Sequence, residues 1–266
     1  MKNNEIVFNK EFVYFLGFLW SDGFIERKRT ILEIIEEDAI EIVQDIQKIC
    51  FLKICTMSRK RINRKPQMSI YFCNTKFYDI FQSKYFSNKG ESSPDELIEI
   101  IPEYLTRYFY LGLIDGDGCF YFKNKTKQFY ITSSYNQDWT YAINLFEELK
   151  INNYEVRRIE NKNGNRSSYI RVKKYEELVK LYEYLYPNGY EIGLKRKYNK
   201  CLTIVKNPPK YSSNKSSINK EELLNQIYLG LNIYEISNNL NCNWRKIHNF
   251  CKKNDIQKPK GFYSKV

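Results

Sequence analysis

The chain has 266 residues, 42% hydrophobic and 28% charged, enough for a buried core and for two domains with a small appendage. No stretch approaches the roughly 18 consecutive apolar residues of a membrane span, and the N-terminus lacks the order of a signal peptide, so we expect a soluble, intracellular protein. The single histidine, His248, excludes most histidine-based catalytic groupings and leaves chemistry to carboxylates, lysines and a metal. The seven cysteines include no CxxC pair, which predicts reduced thiols rather than disulfides or a zinc finger.

The net charge of +12 is concentrated at the C-terminal end of the chain. Residues 195 to 266 contain 15 basic and 4 acidic residues and so carry +11 of the total. In residues 1 to 194, basic residues cluster in predicted hairpins and acidic residues in predicted helices. This separation suggests one positively charged face, which is typical of nucleic-acid-binding proteins. The alternative is an ordinary solvated surface in a lysine-rich chain.

In chain order, the same predicted elements occur twice, 95 residues apart. Each copy begins with an apolar helix, at 11 to 20 and at 102 to 115, and continues as a hairpin, a helix, a second hairpin and a third helix. The first copy has strands at 24 to 26, 31 to 35, 54 to 58 and 68 to 72, with a third helix at 76 to 86. The second has strands at 119 to 123, 129 to 133, 154 to 159 and 168 to 173, with a third helix at 176 to 186. The order αββαββα, repeated, predicts an α+β fold of two pseudo-symmetric halves.

The first helix of each copy carries a related nine-residue motif, FLGFLWSDG at 15 to 23 and YLGLIDGDG at 110 to 118. Small residues four apart allow two helix backbones to approach closely. We therefore expect the two helices to pack side by side through Gly17 and Ser21 and through Gly112 and Gly116. Gly23 and Gly118 fit the left-handed position past a helix C-terminus.

This pairing brings Asp22 and Asp117 together at the same helix ends. Two neighbouring carboxylates at helix C-termini are electrostatically unfavourable, so a cation should lie between them. Hard divalent ions, Mg²⁺ above all, match carboxylates, phosphate oxygens and water, and paired metals can promote phosphodiester hydrolysis. An isolated motif of this kind also occurs in ordinary core helices; two copies favour the metal site.

Both motifs resemble LAGLIDADG, and the chain resembles monomeric homing endonucleases with two such motifs over residues 11 to 205. The resemblance implies that the eighth-position acids, Asp22 and Asp117, bind two or three shared Mg²⁺ ions and are catalytic. The sixth position differs between the copies, Trp20 and Asp115. A basic residue near each active site is also implied, and we assign Lys197 and Lys89, although a surface role is open for both lysines.

The hairpins of both halves are expected to form a DNA-binding saddle, since alternate strand residues share a face. Side chains that favour phosphate and base contacts in these hairpins are Arg59, Arg61, Lys65, Tyr71, Lys123, Lys125, Arg157, Arg166 and Arg171.

A segment rich in proline and serine, residues 207 to 217, reads as a linker. After it, three short helices are predicted at 221 to 229, 234 to 240 and 244 to 253. They resemble the helix-turn-helix modules of some phage and intron-encoded endonucleases, with Asn241 at the turn. The last helix would expose His248 and the DNA-binding candidates Asn243, Trp244, Arg245, Lys246 and Asn249. A helical cap on the main body is the alternative.

The sequence therefore predicts four segments: halves at 1 to 100 and 101 to 206, a linker at 207 to 217, and a small all-α module at 218 to 266. The resemblance implies a monomer that cleaves both strands of a long, asymmetric DNA site and leaves short 3′ overhangs. Two other functions stay open. One is an RNA maturase of the same fold, which assists intron splicing, and the other is a DNA-binding regulator that does not cleave.

Overall fold

The structure is a computed structural model that describes residues 8–26, 29–49, 54–59, 65–72, 89–124, 126–161, 163–209, 218–240, 242–257 and 259. The chain divides into two compact units, Met1–Pro208 and Pro209–Val266. None of the helices in the described part of the chain combines the length and apolar character of a membrane span.

The described residues of the first half of the larger unit form two helices and four strands. They are α1 (Lys10–Asp22), β1 (Gly23–Glu26), β2 (Arg29–Ile35), α2 (Glu36–Ile46), β3 (Ile54–Arg59) and β4 (Gln67–Phe72). The strands form an antiparallel sheet in the order β1-β2-β4-β3. The third helix predicted at 76 to 86 lies outside the described residues.

A short helix, α3 (Asp95–Glu99), leads into the second half, which repeats the arrangement. Its elements are α4 (Glu103–Asp117), β5 (Gly118–Lys123), β6 (Thr126–Ser133), α5 (Thr140–Glu148), β7 (Tyr154–Glu160), β8 (Arg166–Val172), α6 (Tyr175–Leu185) and α7 (Lys195–Lys206). The second sheet has the order β5-β6-β8-β7, which matches the first sheet strand for strand. Helices α3 and α7 are additions to the predicted αββαββα pattern.

The core is built around α1 and α4, which are apolar along nearly their whole length. Nine consecutive residues of α1, from Phe12 to Trp20, are buried. In α4, Leu105 and the eight consecutive residues from Tyr108 to Asp115 are buried. Alternate strand residues such as Leu32, Ile70 and Ile170 are also in this core. A helix that is apolar on all sides must be covered on all sides, and here two sheets, flanking helices and a second such helix do so.

The junction after each of these helices differs from the expected one. Gly23 has φ −82° and ψ 154°, and Gly118 has φ −83° and ψ 152°, so both are extended rather than left-handed, and our prediction of left-handed caps was wrong. Each helix runs through its final aspartate directly into a strand. Glycine is needed there for space, because a Cβ atom would lie 2.6 Å from the carbonyl oxygen of Leu19 or of Ile114.

The smaller unit contains α8 (Lys220–Tyr228), α9 (Ile233–Asn239) and α10 (Trp244–Lys253). Asparagine side chains cap all three helices at their N-termini, at Asn219, Asn232 and Asn243. The helices enclose a separate small core of Leu223, Ile233, Ile236, Leu240, Cys242, Ile247 and Cys251. The fold class predicted from the sequence is thus confirmed: two pseudo-symmetric α+β halves joined through paired helices, with a small all-α module.

Candidate active site

Helices α1 and α4 pack with their backbones in contact at two glycines. A Cβ atom on Gly17 would lie 1.9 Å from the carbonyl oxygen of Phe109, and one on Gly112 would lie 1.9 Å from that of Tyr14. No side chain fits in either gap, since real Cβ contacts do not fall below about 3 Å. The sequence pattern of small residues therefore corresponds to a crossing in which each glycine faces the other helix.

The close contact continues to the C-terminal ends of both helices. A Cβ atom on Gly116 would lie 1.7 Å from the Oγ atom of Ser21 and 3.2 Å from the Oδ2 atom of Asp22. Ser21 itself donates a hydrogen bond to the Phe18 carbonyl oxygen, at 2.8 Å. Asp22, at the end of α1, is therefore held directly beside the end of α4.

Asp22 and Asp117 are the last residues of their helices, and both are half-buried. Burial raises the pKa of the Asp117 carboxyl to about 7, and repulsion by Asp22 contributes to the same shift. The pKa of Asp22 is also raised by burial, while the positive charges of Lys197 and Lys89 oppose the shift. The Asp22 charge thus makes ionisation of Asp117 less favourable, as expected for neighbouring carboxylates.

Two lysine ammonium groups lie at these helix ends in corresponding positions. Lys197 donates to the carbonyl oxygens of Ile114 (2.8 Å), Asp115 (2.5 Å), Gly116 (3.2 Å) and Gly118 (2.7 Å). These carbonyls have few other donors at a helix C-terminus, and a cation there also opposes the negative end of the helix dipole.

Lys89 occupies the matching place on the first helix. It donates to the carbonyl oxygens of Leu19 (3.4 Å), Ser21 (3.1 Å) and Gly23. These acceptors precede Ile114, Gly116 and Gly118 by the repeat length of 95 residues. Burial lowers the pKa of both lysines, and nearby aspartates partly offset the effect.

The two aspartates are suited to a divalent cation. Among the described residues, neither carboxylate takes part in a hydrogen bond or an ion pair, so their oxygens are available as ligands. The described residues contain no group of three or more His, Cys, Asp or Glu side chains that would enclose a metal. A pair of carboxylates completed by water and phosphate oxygens is the usual environment of Mg²⁺.

Sequence reasoning assigned no role to Asp115, and the structure shows it at the centre of a buried network. Asp115 is 2% exposed, and its Oδ2 atom accepts hydrogen bonds from Tyr14 Oη at 3.0 Å and from the Leu194 backbone N–H at 2.7 Å. Burial raises its pKa to about 6, and the nearby Lys197 charge opposes this shift. The one feature of the sequence that could have pointed to this role is an acidic residue among the apolar residues of α4.

In the second sheet, three of the five DNA-binding candidates share the open face. Ile170 and Val172 of β8 are buried, so Arg171 lies on the opposite face. Arg157 is also on this face, because it pairs with Tyr169, which is two residues from Arg171 in β8. The exposed Lys123 is on the same face, because it is four residues after Cys119 in β5, and Cys119 aligns with Arg171 through Tyr130. The face also carries Glu155, which is ion-paired with Arg171 and, at 3.3 Å, with Arg157.

The other hairpin candidates are placed differently. Arg166 is four residues before the buried Ile170 and so lies on the opposite face from Arg171. It is exposed at the start of β8, where it forms an ion pair with Glu160 at 3.2 Å. In the first half, Tyr71 is half-buried in β4, while Lys65 is exposed and 3.3 Å from Glu37. Arg59 is in β3, opposite Gln67. Arg61 and Lys125 lie outside the described residues.

In the smaller unit, α10 presents most of its candidates to solvent. Asn243, Trp244, Arg245 and Asn249 are exposed, whereas Lys246 and His248 are half-buried. The Arg245 guanidinium lies 5.4 Å from the centre of the Trp244 ring. Two hydrogen bonds join Ser237 of α9 to Cys242 across the turn. The Ser237 Oγ atom donates to the Cys242 carbonyl oxygen at 2.5 Å, and the Cys242 N–H donates to the Ser237 carbonyl oxygen at 3.0 Å. Asn241, between them, is outside the described residues.

The effect of Asp22 on Asp117 gives a direct titration prediction. In metal-free protein, we expect the Asp117 carboxyl to titrate near pH 7, well above the ordinary aspartate value of about 4. Asp22→Asn should lower the pKa of Asp117, because it removes a neighbouring negative charge. Lys89→Met should raise the pKa of Asp117, because it removes a neighbouring positive charge. Carbon NMR of labelled aspartate measures all three values. Titration of Asp117 near pH 4 in the unaltered protein would contradict the described geometry.

No protein-family model matches the sequence, and a comparison with curated proteins finds no match. Solved structures are similar in fold. The homing endonuclease I-WcaI, bound to its DNA recognition sequence, aligns with a TM-score of 0.51 and 17% identity, over 75% of this chain and 89% of that one.

Two further structures align less well. Full-length DUF199/WhiA from Thermatoga maritima has a TM-score of 0.46 and 14% identity, over 94% and 92% of the two chains. I-DmoI in complex with DNA and Mn has a TM-score of 0.43 and 13% identity, over 66% and 96%. Together with the doubled sheets and paired helices, the match to I-WcaI shows that this chain has the fold of the LAGLIDADG homing endonucleases.

Proposed function

We propose that the protein is a metal-dependent, site-specific endonuclease of the homing type, which acts as a monomer and cleaves both strands of DNA to leave short 3′ overhangs. The observation that carries the proposal is the pair of half-buried aspartates at the ends of two close-packed helices, each beside a lysine that caps the helix. The capping of α1 and α4 by lysines does not itself require an aspartate at the C-terminal end of either helix. The acids are costly there, and a divalent cation, which can also bind a phosphate, is the ligand that would offset the cost.

In this proposal, Asp22 and Asp117 hold two or three Mg²⁺ ions, which when bound activate water and stabilise the leaving oxygen. The chain itself supplies the positions. The glycine contacts fix the separation of the helix ends, and Lys89 and Lys197 hold the terminal carbonyls in place. Both ammonium groups also add positive charge close to the phosphates that are cleaved, where developing negative charge is stabilised.

The two sheets are the proposed DNA-binding surface. The open face of the second sheet carries Lys123, Arg157 and Arg171 together with Tyr121, Tyr130 and Tyr169, so it combines phosphate-binding charges with amphipathic side chains. Arginine is well suited to guanine in the major groove. Two such sheets related by a pseudo-twofold axis fit a long site whose halves differ in sequence.

The C-terminal unit is proposed as a helix-turn-helix module whose last helix, α10, enters a groove. Its N-terminal end presents Asn243, Trp244 and Arg245, with Asn249 and Lys252 on the following turns of the same side. Arg245, Asn249 and Lys252 recur at intervals of four and three residues, which keeps them on one face.

The module makes a testable contribution to affinity. In the full chain, we expect Arg245→Ala with Lys252→Ala to weaken DNA binding and to reduce the slope of log affinity against log salt by about 1.8, or about 0.9 for each lost phosphate contact. The footprint should shorten at one end only. The control, Lys206→Ala with Lys220→Ala, removes the same charge from exposed residues outside α10. Equal losses in the two double variants would contradict groove binding by α10.

The function is tested by selecting cleaved molecules from a randomised DNA library incubated with the protein and Mg²⁺. We expect one long sequence to be enriched, with short 3′ overhangs, and no enrichment with Asp117→Asn protein. Enrichment in a binding selection without any cleavage would favour the DNA-binding regulator. Binding to a structured intron RNA, with no cleavage of any DNA, would favour the maturase.

A further inference from the structure

The contact between Tyr14 and Asp115 joins the two halves through fully buried polar atoms. Tyr14 belongs to α1 and is completely buried, and Asp115 belongs to α4 and is 2% exposed. The hydroxyl of Tyr14 donates to the Asp115 Oδ2 atom at 3.0 Å. Removing either member would leave a buried polar group without its partner, which makes such a contact costly to disturb.

The repeat makes this polar pair unique to one side of the pseudo-twofold axis. Adding the repeat length of 95 residues to Tyr14 gives Phe109, and subtracting it from Asp115 gives Trp20. The corresponding positions in the other half of the arrangement are therefore both apolar and buried. The symmetry of the helix pair is broken at these positions.

The Asp115 carboxylate also fixes the start of α7. Its Oδ2 atom accepts from the backbone N–H of Leu194, at 2.7 Å, and Leu194 directly precedes the helix. Gly193 has φ +104°, and a Cβ atom there would lie 2.5 Å from the same oxygen. Only glycine allows the chain to turn this closely over the carboxylate.

Lys197 lies in the first turn of this helix. Its backbone N–H donates to the Leu194 carbonyl at 2.9 Å, so the position of Lys197 follows from the residue that Asp115 holds. The side chain then returns to the end of α4, where its ammonium group contacts four carbonyl oxygens. Lys197 is 5% exposed, so its charge needs a nearby anion, and Asp115 supplies one.

The first half also anchors this helix start from α2. The Arg196 guanidinium makes a bidentate pair with Asp38, at 2.7 and 2.6 Å, and Glu41 accepts from the Lys195 backbone N–H at 3.0 Å. The three consecutive residues before Lys197 are thus held by contacts with Asp115 or with α2 of the first half. Lys89, by contrast, has the apolar Trp20 at the position that corresponds to Asp115.

We infer that Asp115 is a positioning residue for Lys197, held in turn by Tyr14 of the opposite half, and that it supports cleavage of only one of the two DNA strands. The inference rests on the proposed function for its effect on cleavage. Tyr14 and Asp115 are both buried, so neither side chain is placed to contact DNA. They act by fixing the helix start that carries Lys197, and the site of Lys89 operates without them.

The test compares strand-specific cleavage rates on a duplex with a different label at each end. Lys197→Met and Lys89→Met first identify which strand depends on which lysine. Tyr14→Phe and Asp115→Asn should then slow the Lys197-dependent strand by roughly 10- to 100-fold more than the other, the usual penalty for a small displacement of a catalytic group. Nicked DNA should accumulate. Tyr110→Phe is the control, because it removes another buried tyrosine hydroxyl, one that donates to the Tyr141 carbonyl oxygen rather than to Asp115.

A second measurement reads the position of Lys197 without any cleavage. Acylation of lysines, followed by mass spectrometry, should proceed slowly at Lys197 in the unaltered protein and faster in Tyr14→Phe and Asp115→Asn, with Lys89 unchanged. Equal slowing of both strands, or unchanged acylation at Lys197, would overturn the inference. If the unaltered protein cleaves no DNA, the proposed function fails, while the acylation result still decides whether Asp115 positions Lys197.

Discussion

The Asp117→Asn variant is expected to lose double-strand cleavage by at least a factor of about 10² to 10³, the range for removing one electrostatic contributor to a transition state. Asparagine keeps the size of the side chain but is a far weaker ligand for a hard divalent cation. DNA binding should persist, because most of the side chains proposed to contact phosphates are on the sheets and on α10, away from Asp117. Single-turnover cleavage and a gel-shift assay in Ca²⁺ separate the two effects.

Asp22→Asn should behave in the same way, and either variant can retain nicking of one strand. Glu99→Gln is the matched control, since it removes one negative charge from an exposed residue at the end of α3. The assignment of the aspartates is wrong if Asp117→Asn cleaves both strands at the rate of the Glu99→Gln control.

The second large effect is on stability, at the helix crossing. In Gly112→Ala, the new Cβ atom would lie 1.9 Å from the backbone oxygen of Tyr14, which no side-chain rotation can relieve. Alanine gains about 1 kcal/mol in helix propensity over glycine. The overlap requires the helices to separate along their whole apolar contact, and we expect a net loss of about 3 kcal/mol or more in the free energy of unfolding.

This loss corresponds to a fall in Tm of roughly 6 to 12 °C for a unit of this size. Gly90→Ala is the control, because a Cβ atom there would lie at an ordinary distance of 3.7 Å from Ser134. Differential scanning calorimetry of both variants makes the comparison. A Tm for Gly112→Ala equal to that of Gly90→Ala would show that the backbones of α1 and α4 are not in contact.

The repeat made much of the fold predictable. Helix and strand periodicities, read twice at the same spacing, identified α1, α4 and the eight strands of the described residues to within a few residues. The small residues at Gly17 and Gly112 also indicated a close crossing, because few other functions require glycine inside an apolar helix. The sequence could not indicate that Gly23 and Gly118 are extended, since the reason lies in the distance to a carbonyl oxygen one turn earlier.

Contacts between residues far apart in the chain were harder to infer. Lys89 and Lys197 were chosen by family resemblance, whereas their role as caps depends on the carbonyl oxygens that the folded helix ends leave unpaired. Asp115 was recognised only as a departure between the two motifs. Its partner, Tyr14, is 101 residues earlier in the chain, and no local pattern connects them.

The faces of the hairpins show the same difficulty. A strand alternates its side chains, so the face of Arg171 follows only when the burial of Ile170 and Val172 is known. Arg166, five residues before Arg171, necessarily has the opposite parity. Charge composition alone did not separate the two arginines, nor did it indicate that Glu155 lies between Arg157 and Arg171.

The central claim, that the paired helix ends form one shared metal centre, is tested most directly by electron paramagnetic resonance of Mn²⁺ in the protein–DNA complex. We expect bound ions close enough for spin–spin coupling, as at the separation of about 3.5 to 4 Å in two-metal sites. Asp22→Asn and Asp117→Asn should each abolish that coupling, because each removes a ligand from the shared site. Identical Mn²⁺ spectra from the unaltered protein and both variants would contradict a metal centre between Asp22 and Asp117.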